Sequence, residues 1–327
     1  MNKPLLVCMT TVRNDAWVLN AFMAATSIWA DYIVVADQMS TDNTRSILQK
    51  YPKVIVVENN TLEINEPERY KMVIDKAREI EGDKILFAFD VDEVLSANFI
   101  HTKDWERILC SKKGDVFCFK YAQVHPSGNS YSVPDVFFPW VFHDDGIEPH
   151  ANYVRNLHSM RIPYPIEEKQ IFYVNDFKVL HLQELIPNRQ KSKLRMMIMV
   201  DYLLNDRKTV KLSRYYLPKK NRDTQYLLTS DMLYDVDNFG FNLFELVDLD
   251  LKKFWYDSFI LDHLERDGSK KYRKIDIWDS NFIHTYGLQD PRSMFTKCLH
   301  LYLRLTQNFS HYFAVRAVDK LLKIIGL

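Results

Sequence analysis

The sequence predicts an α/β fold in which helices cover both faces of a mostly parallel β-sheet, followed by a helical C-terminal region. Two observations predict this fold. Short apolar runs alternate with amphipathic segments between residues 4 and 89, and strands that are apolar on both sides must be buried on both faces. The chain of 327 residues, of which 47% are hydrophobic and 26% charged, also has an ordinary globular composition.

The alternation of strands and helices can be followed along the N-terminal part of the chain. Apolar runs predict four strands, at Pro4–Met9, Tyr32–Ala36, Val54–Val57 and Ile85–Phe89. Capping residues and apolar spacing predict the intervening helices: one that starts near Asn14 or Asp15, one that contains Ile47 and Leu48, and one from Pro67 to about Glu81.

The rest of the chain changes character after residue 115. Short apolar runs predict further strands at Val116–Val124, Val136–Phe142 and Ile171–Leu180. Helices are predicted at Asn188–Leu204 and, as one or two segments, over Met294–Ile325. We therefore expect an α/β domain at residues 1–185 and a mainly helical extension, packed on it, at residues 186–327.

Charge and cysteine content limit the possible classes of protein. Lys plus Arg and Asp plus Glu number 43 each, so the net charge is zero, which argues against a nucleic-acid-binding protein. The four cysteines (Cys8, Cys110, Cys118 and Cys298) form no CxxC pair, and we interpret them as reduced core residues. The sequence shows no signal-peptide pattern and no membrane-spanning run, so we expect a cytoplasmic protein.

Acidic residues follow two of the predicted strands at their carboxyl ends. Asp37 ends the second strand, and Asp90-Val91-Asp92-Glu93 follows the fourth. Parallel sheets bind ligands at this edge. In an extended segment Asp90 and Asp92 would point the same way, and two carboxylates suit Mg²⁺ or Mn²⁺ shared with phosphate oxygens. The alternative is a solvated turn.

The segment after Asp37 has a simpler interpretation. Ser40-Thr41-Asp42 are residues that commonly cap helices, and we assign them that role. Capping does not require Asp37, whose carboxylate would be able to accept hydrogen bonds from a base N–H or a ribose hydroxyl.

Three segments together resemble family 2 glycosyltransferases in order and spacing. They are Thr10–Asp15, then Ile33–Asp37 with Ser40–Thr44, then Asp90–Glu93. The resemblance covers about the first 95 residues and is suggestive to residue 205. It implies the GT-A fold, a nucleotide-diphospho-sugar-binding α/β domain. The Asp-x-Asp-Glu variant of the motif is similar to the bacterial branch that builds surface polysaccharides and glycoconjugates. Gln38-Met39 departs from the family's small, often Gly-containing turn, and the absence of Gln-x-x-Arg-Trp argues against a processive synthase.

The resemblance implies roles for the nucleotide-binding residues. Thr11 and Asp37 would line the base and ribose pocket, with Arg13 and Asp15 near it. Asp90 would contact the ribose or the donor sugar.

The resemblance also implies a site for Mg²⁺ or Mn²⁺. Asp92 would hold this ion on the diphosphate, with Asp90 close by. His181, which ends the apolar run Val174–Leu180, is a further candidate ligand, although a structural role for it is equally open.

The implied reaction is transfer of a sugar from a UDP-, GDP- or dTDP-sugar to a hydroxyl of a glycan or lipid-linked acceptor, with inversion. An inverting enzyme needs a general base. The candidates are Asp144, Asp145, Glu148, Glu167 and Glu168. We favour Glu148 and Asp145, although Asp144 and Asp145 also suit a turn with Gly146.

The C-terminal segment has two interpretations. Residues 291–327 contain six Lys or Arg and one Asp among many apolar residues. A basic amphipathic helix of this kind is able to rest on an anionic membrane surface, but such helices more commonly pack on their own domain.

Two other functions remain open from the sequence. Phe89–Leu95 resembles the nucleophile strand of haloacid-dehalogenase-like phosphatases, in which Asp90 would attack phosphate, but that motif normally lies on the first strand. A non-catalytic nucleotide-sugar-binding protein is the other alternative. The eight glycines form neither GxGxxG nor GxxxxGK[ST], which argues against dinucleotide-binding and P-loop enzymes.

Overall fold

The computed structural model describes residues 3–63, 65–147, 161–162, 170–205, 207–218 and 224–327. Ten strands of this part of the chain form one sheet: β1 Leu5–Val12, β2 Tyr32–Asp37, β3 Val54–Glu58, β4 Lys84–Ala88, β5 Glu93–Leu95, β6 Val116–Val124, β7 Ser130–Ser132, β8 Phe138–His143, β9 Ile171–His181 and β10 Gln225–Leu227. The α-helices of the described residues are α1 Ala16–Ser27, α2 Thr44–Leu48, α3 Glu66–Arg78, α4 Lys103–Leu109, α5 Pro187–Asn205, α6 Thr209–Tyr216, α7 Val236–Phe239, α8 Trp255–Asp267, α9 Ser280–Thr285, α10 Met294–Thr306 and α11 Phe313–Ile324.

The first four strands form the parallel part of the sheet, in the order β3-β2-β1-β4. They are joined through α1, α2 and α3, because parallel neighbours need a crossover connection. Val12 lies opposite Asp37, and Met9 lies opposite Ala88. The residues that follow β1, β2 and β4 therefore meet at one edge of the sheet, which is the edge where the sequence predicts the site.

Beyond β4 the sheet is mixed. Strand β8 pairs antiparallel with β4 and β6, while β9 pairs parallel with β6 and antiparallel with the short strand β5. Strand β9 thereby carries the end of the middle region back to the residues that follow β4.

Helices cover both faces of the sheet. The side of α3 that carries Tyr70, Val73 and Ala77 packs on alternate residues of β1, β2 and β4, including Val7 and Leu86. These apolar residues of α3 recur at intervals of three and four, which is one face of a helix.

The opposite face of the sheet holds an aromatic cluster. The ring of Phe87, on β4, lies 4.4 Å from that of Trp29, which follows α1, and 5.9 Å from that of Trp105 on α4. The predicted α/β class, with helices on both sides of the sheet, is confirmed.

The chain divides into two compact units. The first comprises residues 1–187 and 223–251, and the second comprises residues 188–222 and 252–327. The second unit is helical and carries its own buried cluster around Val210, Leu299 and Leu303. Because residues 223–251 belong to the first unit, and β10 is one of its strands, the chain returns to the sheet after the predicted boundary at residue 185.

Two features of the described chain bear on the sequence predictions. All four cysteines are free, but only Cys8 and Cys118 are buried, so the prediction of core positions is wrong for Cys110 and Cys298, whose side chains are exposed. None of the described helices combines the length and apolarity that crossing a bilayer would require.

Candidate functional site

The loops that follow β1 and β2 are fastened to each other. The Asn14 side-chain oxygen accepts hydrogen bonds from the backbone N–H of Thr41 at 2.6 Å and of Asp42 at 3.3 Å. Asp42 in turn accepts from Ala16 N–H, at the start of α1, and from Thr44 N–H, at the start of α2. Asp42 thus satisfies free N–H groups at the starts of two helices, although the N-cap positions themselves are Asp15 and Asn43. The capping prediction is wrong for Ser40 and Thr41, whose hydroxyls bond to Asn14 instead.

Asp37 is the most buried of the predicted nucleotide-binding residues. Its side chain has no exposed surface, and its carboxylate accepts hydrogen bonds from Ser40 N–H at 3.1 Å and from Arg45 Nε at 2.6 Å. The carboxylate thus organises the turn after β2. Direct contact with a base or ribose requires the ion pair with Arg45 to open.

The other three predicted nucleotide-binding residues of this edge lie in or directly after β1. Thr11 and Asp15 are buried, and Arg13 is half-buried. The Asp15 carboxylate accepts a hydrogen bond from Arg13 N–H at 3.1 Å. The structure therefore brings Thr11, Arg13 and Asp15 to the edge that the sequence predicts.

The segment after β4 is a turn and not the extended chain assumed from the sequence. Glu93 N–H donates to the Asp90 carbonyl at 2.9 Å, closing the turn through Asp92. The two-residue periodicity of an extended strand therefore does not set the directions of Asp90 and Asp92. The residues that contact Asp90 and Asp92 set the directions of these two side chains instead.

Asp90 is held by two residues that the sequence analysis did not identify. Its carboxylate accepts a hydrogen bond from the Tyr70 hydroxyl at 2.6 Å and pairs with Arg161 at 2.6 Å. The same guanidinium lies 2.5 Å from Glu93 and over the Trp140 ring, 5.3 Å from its centroid. Burial raises the pKa of Glu93 to about 7, although Arg161 lowers it.

Asp92 and His181 lie side by side. Strands β5 and β9 pair with Glu93 opposite His181, and the Asp92 carbonyl accepts a hydrogen bond from Leu182 N–H at 2.8 Å. This register places His181 Nε2 3.7 Å from Asp92 Oδ1, and both side chains are largely buried. The structure thus joins two of the three predicted metal ligands.

Two arginines lie near the same edge. Arg13 follows β1, and Arg69 lies near the start of α3, beside Tyr70. Burial, together with the nearby positive charge of Arg69, lowers the pKa of Arg13. The Nε–H of Arg69 is buried and has no hydrogen-bond partner. Two positive charges near this edge favour the binding of an anion there.

Two of the predicted general bases, Asp144 and Asp145, are not brought to this edge. Asp144 N–H donates to the carbonyl of Lys84, the first residue of β4. Asp145, the next residue, therefore lies near the opposite edge of the sheet from Asp92, since a strand of five residues spans roughly 16 Å.

Asp145 instead belongs to a turn. Gly146 N–H donates to Asp144 and Ile147 N–H donates to Asp145, as one sequence interpretation anticipated. Asp144 also pairs with Arg78 at 2.9 Å. Glu148, the other favoured base, lies outside the described residues, as do Glu167 and Glu168.

The site residues that the sequence did not reveal differ in whether any sequence pattern could have identified them. Tyr70 lies on the apolar face of α3, and a buried tyrosine hydroxyl needs a hydrogen-bond partner, so its bond to a nearby carboxylate could have been anticipated. Arg69 and Arg161 lie in no motif. Their positions depend on contacts between residues distant in the chain.

The described residues suit a divalent cation only in part. Within the part of the chain that the structure describes, no group of three or more His, Cys, Asp or Glu side chains is arranged to hold a metal ion. Mg²⁺ and Mn²⁺ bound with a nucleotide commonly take one or two protein ligands, and phosphate oxygens and water supply the others. Asp92 and His181 have the donor atoms and the proximity for such a pair.

Comparisons with known proteins are limited to solved structures. No protein-family model and no curated protein matches the chain. Glucosyl-3-phosphoglycerate synthase from Mycobacterium tuberculosis, in complex with phosphoglyceric acid, is 15% identical over 35% of this chain and 43% of its own, with a TM-score of 0.27. The same synthase with Mn²⁺, uridine diphosphate and phosphoglyceric acid is 14% identical over 38% of this chain and 44% of its own, with a TM-score of 0.27.

A third solved structure extends over more of the chain. The inositol-1-phosphate CTP transferase from T. maritima is 9% identical over 55% of this chain and 90% of its own, with a TM-score of 0.34. The match covers less than half of the mycobacterial synthase. Likenesses of this size assign no function to the present chain.

Proposed function

We propose that this chain is a glycosyltransferase of GT-A type that transfers a sugar from a nucleotide-diphosphate donor to an acceptor hydroxyl with the help of Mg²⁺ or Mn²⁺. The observation that carries the proposal is the Asp92–His181 pair, 3.7 Å apart, at the edge of a parallel sheet where such sheets bind ligands. The order β3-β2-β1-β4 followed by an antiparallel strand supports it.

Asp92 and His181 would hold the cation against the diphosphate. A bound divalent cation stabilises the negative charge that develops on the leaving diphosphate when the bond to the sugar breaks. Arg13 and Arg69 would supply further positive charge for the same group. Their guanidiniums suit phosphate oxygens because they donate hydrogen bonds in a planar fork.

Asp90 would contact the ribose or the sugar. Its carboxylate is already oriented by Tyr70 and Arg161, so little conformational freedom is lost on binding. While its ion pair with Arg45 is formed, Asp37 would affect nucleotide binding only by holding the turn after β2 in place. If the ion pair opens, its carboxylate would be able to contact the base or ribose directly. Thr11 would line the base pocket, with Asp15 near it.

In the proposed reaction, the acceptor oxygen forms a bond to the anomeric carbon and the bond from that carbon to the diphosphate breaks. The hydroxyl proton passes to a base, and the nucleoside diphosphate leaves. Glu148 stays the candidate base. We propose inversion at the anomeric carbon and a glycan or lipid-linked acceptor of the surface-polysaccharide or glycoconjugate type.

The first test is binding. We expect one of UDP, GDP or dTDP to raise the melting temperature by several degrees with Mn²⁺ present, and much less with EDTA, because a ligand at 100 times its Kd stabilises the folded state by about 2.7 kcal/mol. Absence of stabilisation by all three nucleotides with Mn²⁺ and with Mg²⁺ would count against the proposal.

The second test identifies the chemistry. Incubation with the stabilising nucleotide's sugar derivatives and Mn²⁺ should release nucleoside diphosphate, at a slow rate with water as acceptor. Release of pyrophosphate from a nucleoside triphosphate would instead show a nucleotidyltransferase. Trapping of Asp90 by fluoroberyllate would show a phosphatase, and metal-dependent binding without turnover would show a binding protein.

A further inference from the structure

The helix α10, in the second unit, has two contrasting sides. Leu299 and Leu303 are buried and pack with Val210 of α6. Met294, Leu301 and Leu305 are 76%, 54% and 67% exposed, and their spacing of seven and four residues places them on one face. This face presents apolar side chains to solvent along the length of the helix.

The two sides of helix α11 differ still more strongly in their exposure to solvent. Its inner side carries Asp319, which is buried and pairs with Arg214 of α6 at 2.8 Å. Its outer side carries Phe313, Leu321 and Ile324, which are 86%, 64% and 71% exposed. At 100° per residue, these three fall within an arc of roughly 80°. Single exposed apolar residues are ordinary, but a whole helix face is not.

Positive charge borders this apolar arc. Arg316, Lys320 and Lys323 are exposed and follow one another around the helix between the apolar arc and the buried side. From residue 291 to 327 the one acidic residue is Asp319, which is buried in its pair with Arg214. The exposed charge of α10 and α11 is therefore entirely positive.

We propose that the exposed side of α11 docks on an anionic lipid bilayer with the helix lying in the plane of the interface. The apolar arc would enter the boundary between headgroups and acyl chains, and the basic residues would contact lipid phosphates. A second copy of the chain is a poorer occupant. It would bring two basic surfaces together with no exposed acidic residue of these helices to pair with them.

The proposal does not depend on the proposed transferase activity, so its test uses binding alone. The full chain is sedimented with vesicles of phosphatidylcholine, with and without phosphatidylglycerol. We expect binding to the anionic vesicles that weakens with salt, and little binding to the neutral ones. Lys320→Gln/Lys323→Gln should lower the partition coefficient about 30-fold, and Phe313→Ser/Ile324→Ser should lower it about tenfold or more.

Matched controls use residues of similar exposure elsewhere. Lys252 and Lys253 are exposed lysines in the second unit, and Leu227 is 76% exposed in the first. Lys252→Gln/Lys253→Gln and Leu227→Ser should bind vesicles as the wild type does. Equal losses in the control and α11 variants, or no binding to anionic vesicles, would overturn the proposal. So would a concentration-dependent dimer that Phe313→Ser/Ile324→Ser dissociates, since the occupant would then be a second copy.

Discussion

His181 Nε2 lies 3.7 Å from Asp92 Oδ1, although 89 positions separate the two residues in the sequence. The pairing of β5 with β9, with Glu93 opposite His181, brings them together. The pair therefore depends on a strand of three residues that follows the acidic turn directly. A site held by backbone pairing is rigid, which suits groups that must act together on one ligand.

The Asp92–His181 pair predicts a common metal-dependent phenotype. Asp92→Ala and His181→Ala should each lower Mn²⁺-dependent release of nucleoside diphosphate by on the order of 100-fold, because each removes a ligand to the ion that stabilises the leaving group. Titration calorimetry should show weaker Mn²⁺ binding in the presence of nucleotide. His101→Ala, which changes an exposed histidine, is the control. Full activity of Asp92→Ala with an intact fold would remove the assignment.

Arg69 should contribute to ligand binding and not to folding. Its buried Nε–H lacks a hydrogen-bond partner, and its positive charge lowers the pKa of Arg13. Arg69→Gln should therefore weaken nucleoside diphosphate binding about tenfold or more. Its free energy of unfolding without ligand should be unchanged or higher, because a like-charge repulsion is removed. Arg107→Gln, at a half-exposed arginine of α4, should leave the Kd unchanged. A loss of stability with unchanged affinity would show that Arg69 is structural.

Loss of Arg45 should lower the free energy of unfolding more than loss of Asp37, its ion-pair partner. The Asp37 side chain is fully buried, whereas that of Arg45 is 48% exposed. Arg45→Ala leaves a buried carboxylate without its cation and should lower the free energy of unfolding. Asp37→Asn leaves an arginine that water is able to solvate and should lower it less. Urea unfolding of both variants and of the double variant measures the two costs and their coupling. The reverse order would contradict this account.

His300, in the second unit, should make stability sensitive to acid. Burial lowers its pKa below the ordinary value of 6.5, although Asp276 raises it and Arg292 lowers it further. Its Nδ1 faces Arg292 at 3.3 Å and Asp276 at 3.4 Å, and its Nε2 lies 3.2 Å from the Lys274 carbonyl. Between pH 6.5 and the lower pKa of the folded chain, the ring therefore stays neutral when folded, whereas the unfolded chain binds a proton.

The sign of the effect follows from this difference in proton binding. The stabilisation is complete above pH 6.5 and is lost as the pH falls from there toward the folded pKa, with a slope of at most about 1.4 kcal/mol per pH unit. In His300→Gln the free energy of unfolding, measured with urea between pH 7.5 and 5.5, should fall less steeply than in the wild type. An equal slope would show that other groups cause the acid sensitivity.

The sequence determined the parallel part of the fold, because there the pattern is local. Continuous apolar runs and capping residues mark β1 to β4 and their helices to within a few residues, and β6 is found at Val116–Val124 as predicted. The edge that carries Asp37, Asp90 and Asp92 follows from the parallel order alone, since such strands end on the same side.

What the sequence left undetermined depends on contacts between distant residues. Asp145 follows a strand that runs antiparallel to β4, so it lies near the opposite edge, and no local pattern reveals a strand's direction. Tyr70 and Arg161 fix Asp90 from positions 20 and 71 residues away. The sequence by itself determined which edge of which sheet carries the acidic residues, because hydrophobic periodicity is a pattern among residues that are close together in the chain. Only the tertiary structure decided which partners those carboxylates have, because strand pairing sets partners between residues far apart in the chain.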